Sequence, residues 1–187
     1  GVLMVLVALA GWYLDYRQPE QARQAEMARQ EAAREKALGP AWTIPDLGLE
    51  LMPIPAGSFA MGSTNGEADE KPVTQVQLTQ PFWLGKTEVT QGQWERVMGS
   101  NPSAFKKAGA NAPVEQVSYD EALAFCQKVT ASERAAGRLP EGYAYTLPTE
   151  AQWEYACRAG TTGDYAGDLD LLGWYDQNSG DTTHAVG

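Results

Sequence analysis

Histidine occurs once in the 187 residues, at His184, and cysteine twice, at Cys126 and Cys157. A zinc site, which needs three or four close His or Cys ligands, is thereby excluded. A disulfide-built mini-protein needs more than two cysteines. A Ser-His-Asp hydrolase would have to use the imidazole at the far end of the chain, and no G-x-S-x-G is present. Neither G-x-G-x-x-G nor a Walker loop occurs, so phosphate cradles of those kinds are absent. Bases are also scarce: 14 Lys and Arg stand against 24 Asp and Glu. With a net charge of −10, nucleic acid is not the expected partner, because phosphate binding needs cations.

The material that is present is unevenly placed. Residues 1–14, GVLMVLVALAGWYL, carry no charge. A spanning helix needs about 20 apolar residues. The run begins at the first residue and ends in Trp12 and Tyr13, where an aromatic belt would lie. It is expected to be a transmembrane segment, with a signal peptide cut near Ala8-Leu9-Ala10 as the competing reading. Residues 15–40 hold five acids and five bases, paired as Glu20/Arg23, Glu26/Arg29 and Glu31/Arg34. That spacing predicts a solvated, charged helical spacer, ended by Gly39-Pro40. The entire −10 therefore sits in 41–187.

From residue 41 the texture becomes short strands, turns and short helices. Glu50–Met61 reads as a hairpin around Ala56-Gly57, and Thr74–Leu84 as extended chain. Three capping boxes, Thr90-x-x-Gln93, Ser118-x-x-Glu121 and Thr149-x-x-Gln152, predict three helix starts. Apolar stripes follow each: Trp94, Val97 and Met98; Ala122, Phe125, Cys126 and Val129; Trp153, Ala156 and Cys157. On that pattern the two cysteines are small buried hydrophobes, or a mutual disulfide if the domain is exported. Neither has a histidine near it in sequence, which disfavours a catalytic thiol. Asp168, Asp170, Gly173 and Asp176 match four EF-hand positions, but Leu172 and Ser179 fail two others. A calcium loop of another design, using Asp176, Asn178 and Asp181, stays open beside a plain solvated turn.

Four segments, in order, resemble one family. They are Met52-Pro-Ile-Pro-Ala-Gly-Ser-Phe-Ala-Met-Gly62, Lys86-Thr-Glu-Val-Thr-Gln-Gly-Gln-Trp94, Pro113-Val-Glu-Gln-Val-Ser118 and Thr146-Leu-Pro-Thr-Glu-Ala-Gln-Trp-Glu-Tyr-Ala-Cys-Arg-Ala-Gly160. Together they are similar to the formylglycine-generating enzyme, or sulfatase-modifying factor, family. The resemblance implies an α+β fold related to C-type lectins, with little regular secondary structure, over 41–187. Its enzymatic members are copper-dependent oxidases that convert a sulfatase cysteine to formylglycine, holding Cu(I) through two thiolates. Members also bind calcium, and Asn178, the Ser179 carbonyl and Asp181 look like the start of one calcium site. Cys126 and Cys157 match helix cysteines that pair elsewhere in some members, not the copper pair. The resemblance covers the N-terminal portion of the domain and assigns no catalytic residue to this chain. Two functions are therefore expected: an oxidase acting on a sulfatase, or a non-catalytic binding or sensor module, for example in a membrane-anchored protein kinase. Either would be extracytoplasmic, held to a membrane through 1–14, with a protein as partner.

Overall fold

The computed structural model describes residues 39–187 other than Asp164, and position 22 alone before them. The expected membrane segment at 1–14 and most of the spacer at 15–40 lie outside the described residues. No helix among those described is long and apolar enough to cross a membrane. Residues Ala41–Gly187 form a compact unit distinct from Gly1–Pro40.

Among the described residues, five strands make two small antiparallel sheets. Strands β1 (Trp42–Ile44), β2 (Leu49–Ile54) and β5 (Phe82–Gly85) form one sheet in the order β1-β2-β5. Strands β3 (Gly57–Met61) and β4 (Thr74–Leu78) form the other, with Phe59 opposite Val76. The expected hairpin between β2 and β3 is thus corrected. β2 pairs with β1 and β5, while β3 pairs only with β4. The physical reason lies in the connection Pro55-Ala56. A two-residue hairpin turn requires positive φ, which proline cannot adopt and alanine adopts only at a cost. The chain passes from one sheet to the other instead.

The three capping boxes all form. Helix α1 (Gln91–Met98) starts at Thr90, α2 (Tyr119–Ala135) at Ser118 and α3 (Glu150–Arg158) at Thr149. In each, the cap hydroxyl accepts the N3 backbone N–H while the N3 side chain reaches back to the cap N–H. Gly99 closes α1 in the left-handed region, at φ 85°. A one-turn helix, α4 (Leu169–Leu172), follows Asp168. At the start of α2, bonds from the backbone N–H and then the hydroxyl of Ser118 hold the Glu121 carboxyl below its usual pKa. A depressed folded pKa contributes stability above the unfolded value and loses it as pH falls through the folded value. Ser118→Ala is therefore expected to lower Tm at neutral pH. The deficit should narrow in acid, as scanning calorimetry from pH 7 to pH 3 would show. A deficit that stays constant would mean Glu121 plays no part in it.

The core joins the first sheet to α1 and α2. Ile44, Leu49, Trp94, Phe125, Cys126 and Val129 form one buried cluster. The Trp94 indole stacks on the Phe125 ring, with centroids 5.3 Å apart and planes 2° from parallel. One buried charge accompanies this core. Glu133 is 1% exposed, and the Arg138 guanidinium donates to both of its oxygens, at 3.0 and 2.5 Å. The same guanidinium donates to Asp46 at 2.6 Å. A buried carboxylate is tolerable only with such pairing.

Candidate functional site

Helix α3 lies against β3. Its register is set by a reciprocal tie to Gly62. The Gly62 N–H donates to Glu154 Oε1 at 2.9 Å, and the Gly62 carbonyl accepts from Arg158 Nη2 at 2.9 Å. Arg158 also donates through Nε to Glu154 at 2.7 Å. The Tyr155 ring packs on Phe59, with centroids 5.4 Å apart, and its hydroxyl closes over Gly57. Tyr155, Glu154 and Arg158 thus take the inward face of α3. Trp153, expected on a buried stripe, is 57% exposed instead, and Cys157 is exposed beside it on the next turn.

The two thiols are therefore unlike. Cys126 belongs to the core cluster, and burial pushes its thiol pKa up, which disfavours the thiolate that a metal or a nucleophilic reaction requires. Cys157 is a free surface thiol. The structure forms no disulfide between them. A Cu(I) dithiolate needs two ionised sulfurs on one ion, and this pair does not fit it. Among the described residues there is also no cluster of three or more His, Cys, Asp or Glu side chains suited to a metal.

The calcium candidates fall in one turn after α4. Asn178 Oδ1 accepts the Tyr175 N–H at 2.7 Å, and its Nδ2 donates to the Gly173 carbonyl at 3.1 Å. The Ser179 carbonyl lies 2.7 Å from His184 Nε2, so that nitrogen carries a hydrogen. Asp181 follows at φ 57°, exposed to solvent. Asn178 and Ser179 thus lie in one hydrogen-bonded turn, with Asn178 as its brace, and Asp181 follows two residues on. Sequence reasoning missed His184, which holds the Ser179 carbonyl and stacks on Trp174 with centroids 3.9 Å apart. Its only sequence signal was being the sole imidazole, six residues after Asn178. Thr183 Oγ1, one residue before His184, is buried without a hydrogen-bond partner among the described residues. Amide, carbonyl, carboxylate and hydroxyl oxygens are the donors a hard cation takes, and the Asn178 and Ser179 oxygens each keep a second lone pair. The donor set fits calcium in kind. The Tyr175 hydroxyl, close by, donates to Asp170 Oδ1 at 2.6 Å, and that bond raises its pKa.

The motif order, the two small sheets and the capped helices define a sulfatase-modifying-factor type of domain. The sequence model of the sulfatase-modifying factor enzyme 1-like domain matches residues 47–185, and the chain belongs to that family. It is 31% identical over 169 residues to chaperone protein LppX of Paenibacillus barcinonensis, covering 71% of this chain and 55% of that one. It is 41% identical over 81 residues to the formylglycine-generating enzyme of Mycobacterium tuberculosis, covering 43% of this chain and 22% of the enzyme. Among solved structures, Treponema denticola variable protein 1 superposes with a TM-score of 0.61 at 26% identity, over 78% of this chain and 67% of its own. PvdO from Pseudomonas aeruginosa shares the fold, with a TM-score of 0.55. The chain thus spans about half of the first curated relative and about a fifth of the second.

Proposed function

We propose that residues 41–187 act as a polypeptide-recognition module of the sulfatase-modifying factor fold. The observation that carries this reading is a set of large aromatic side chains left exposed on the surface of the unit. What is available is binding surface. Trp153 on α3, Trp174 beyond α4 and Tyr119 on α2 stand more than half exposed, and large amphipathic rings of this kind are favoured at protein interfaces. The similarity to a protein named as a chaperone fits a role in holding a polypeptide. The uncharged residues 1–14 would tether the module to a membrane, with 15–40 as spacer and the module extracytoplasmic.

The oxidase reading is favoured by one finding, the 41% identity to a formylglycine-generating enzyme across 81 residues. Under it, the chain would act on the cysteine of a sulfatase. One experiment separates the two. The full chain is incubated with Cu(I), oxygen and a cysteine-containing sulfatase peptide, and the peptide is analysed by mass spectrometry. Binding without formylglycine is expected. Formylglycine formation by the chain would overturn the module reading.

We further propose that the turn around Asn178, Ser179 and Asp181 takes calcium. Bound to the native state, the ion would stabilise it by mass action. A rise in Tm with millimolar calcium, lost in Asp181→Ala, is expected. An unchanged Tm at saturating calcium would exclude the site.

A further inference from the structure

A cleft of about 230 Å³ opens between the turn after β1, helix α1 and helix α2. Its apolar lining is Leu47 and Val97, half-buried, with Ile44 and Val129, which are 1% and 4% exposed. Its rim carries Arg96 from α1, with Lys128 and Ser132 from α2. Cofactor-sized and drug-sized ligands occupy about 300 Å³ or more. A cleft below that size suits one small group.

The charges around it are unusual for an acidic chain. Glu133 and Asp46 also line the cleft, but Arg138 already binds both. Arg96 and Lys128 have no carboxylate within ion-pair distance among the described residues. Arg96 spends one N–H on the Asp46 backbone carbonyl and keeps the rest of its five donors. With Arg138 counted, three cations face two anions, leaving one positive charge in a protein of net −10. The Ser132 hydroxyl makes no hydrogen bond among the described residues and adds a neutral donor at the same rim. In an acidic protein, unpaired cations above an apolar floor are complementary to one anion attached to a short aliphatic group.

We propose that this cleft receives a carboxylate carried on such a group, either the C-terminal residue of a polypeptide or an acidic side chain. The aliphatic part lies against Leu47 and Val97. The carboxylate accepts from Arg96, Lys128 and Ser132. This assignment is independent of the copper and calcium questions, because it uses none of their residues.

The test is a titration of the isotope-labelled full chain followed by amide NMR shifts at Val97 and Ser132. N-acetyl-L-valine serves as the C-terminal carboxylate, N-acetyl-L-glutamate α-amide as the side-chain carboxylate, and N-acetyl-L-valinamide as the neutral control. Saturable shifts are expected with at least one acid, and binding of the amide should be at least about tenfold weaker, as for a lost charge-assisted hydrogen bond. The tighter of the two acids identifies the source of the carboxylate. Lys128→Gln alters an exposed helix position and should leave the fold intact while weakening the acid at least about tenfold. Arg96→Gln should do the same. Inorganic phosphate, which lacks the aliphatic part, should bind more weakly than the preferred acid. Equal binding of acid and amide, equal binding of phosphate, no saturable shift with either acid, or unchanged affinity in Lys128→Gln and Arg96→Gln would each overturn the assignment.

Discussion

Trp94→Ala is expected to destabilise the 41–187 unit by about 3–5 kcal/mol. The indole is 4% exposed and lies flat on Phe125 in the middle of the core cluster. Its removal forfeits transfer free energy and leaves a hole that the surroundings must collapse to fill. Collapse is resisted, because α1 is held at several points. The Gln91 and Gly92 N–H groups donate to the Ala112 and Ala110 carbonyls at 2.8 and 2.9 Å. The Gln91 side chain, 1% exposed, donates to the Phe105 carbonyl and accepts from Asn101. Against a usual domain stability of about 5–15 kcal/mol, the loss is a large share. Urea unfolding of the full chain followed by circular dichroism measures it, with Trp94→Phe as the milder comparison. A change below about 1 kcal/mol would mean that the ring does not fill the core as described.

Gly62→Ala carries the second large effect, on the order of 3 kcal/mol. Gly62 has φ 93°, where an L side chain is strained. A Cβ there would collide with the Glu70 backbone carbonyl, which cannot rotate away as a side chain could. Relief requires moving the peptide that Glu154 and Arg158 grip from both sides. The substitution should therefore loosen α3 from β3 as well as lower global stability. Hydrogen exchange at the Gly62 site and along α3 separates these, since local release raises exchange there beyond what the global change explains. A variant with wild-type exchange in α3 would show that the tie is dispensable.

What the sequence disclosed depended on the range of the interaction. Capping boxes are local, four residues long, so Thr90, Ser118 and Thr149 marked their helices correctly. Trp94, Phe125, Cys126 and Val129 were legible as core because helical spacing puts them on one face. The division of β2 and β3 between two sheets was not legible as a pattern, since strand pairing is decided by partners far along the chain, here β5 and β4. It was foreshadowed only by Pro55-Ala56, a poor hairpin turn. The outward position of Trp153 was missed for a related reason. Periodicity marks an apolar face, but Glu154, Tyr155 and Arg158 won the inward side through Gly62 and Phe59. At the candidate calcium turn the nearness of Asn178, Ser179 and Asp181 is a matter of sequence adjacency alone. The His184 contact depended on a fold-back that no motif announces.

The ties that close this unit also bear on how it is made. Trp42 donates to the Tyr145 hydroxyl across 103 residues, Gly62 meets Glu154 across 92, and Asp46 meets Arg138 across 92. Contacts so distant in sequence slow folding, because loop closure precedes any reward. At about 5–20 residues per second of synthesis, strands β1 to β3 emerge roughly 5–20 seconds before the residues that secure them. Their strand partners are made by residue 85, but for that interval the apolar sides that the later helices cover are open to other chains. The unit cannot close its long-range ties until Arg158 has been made.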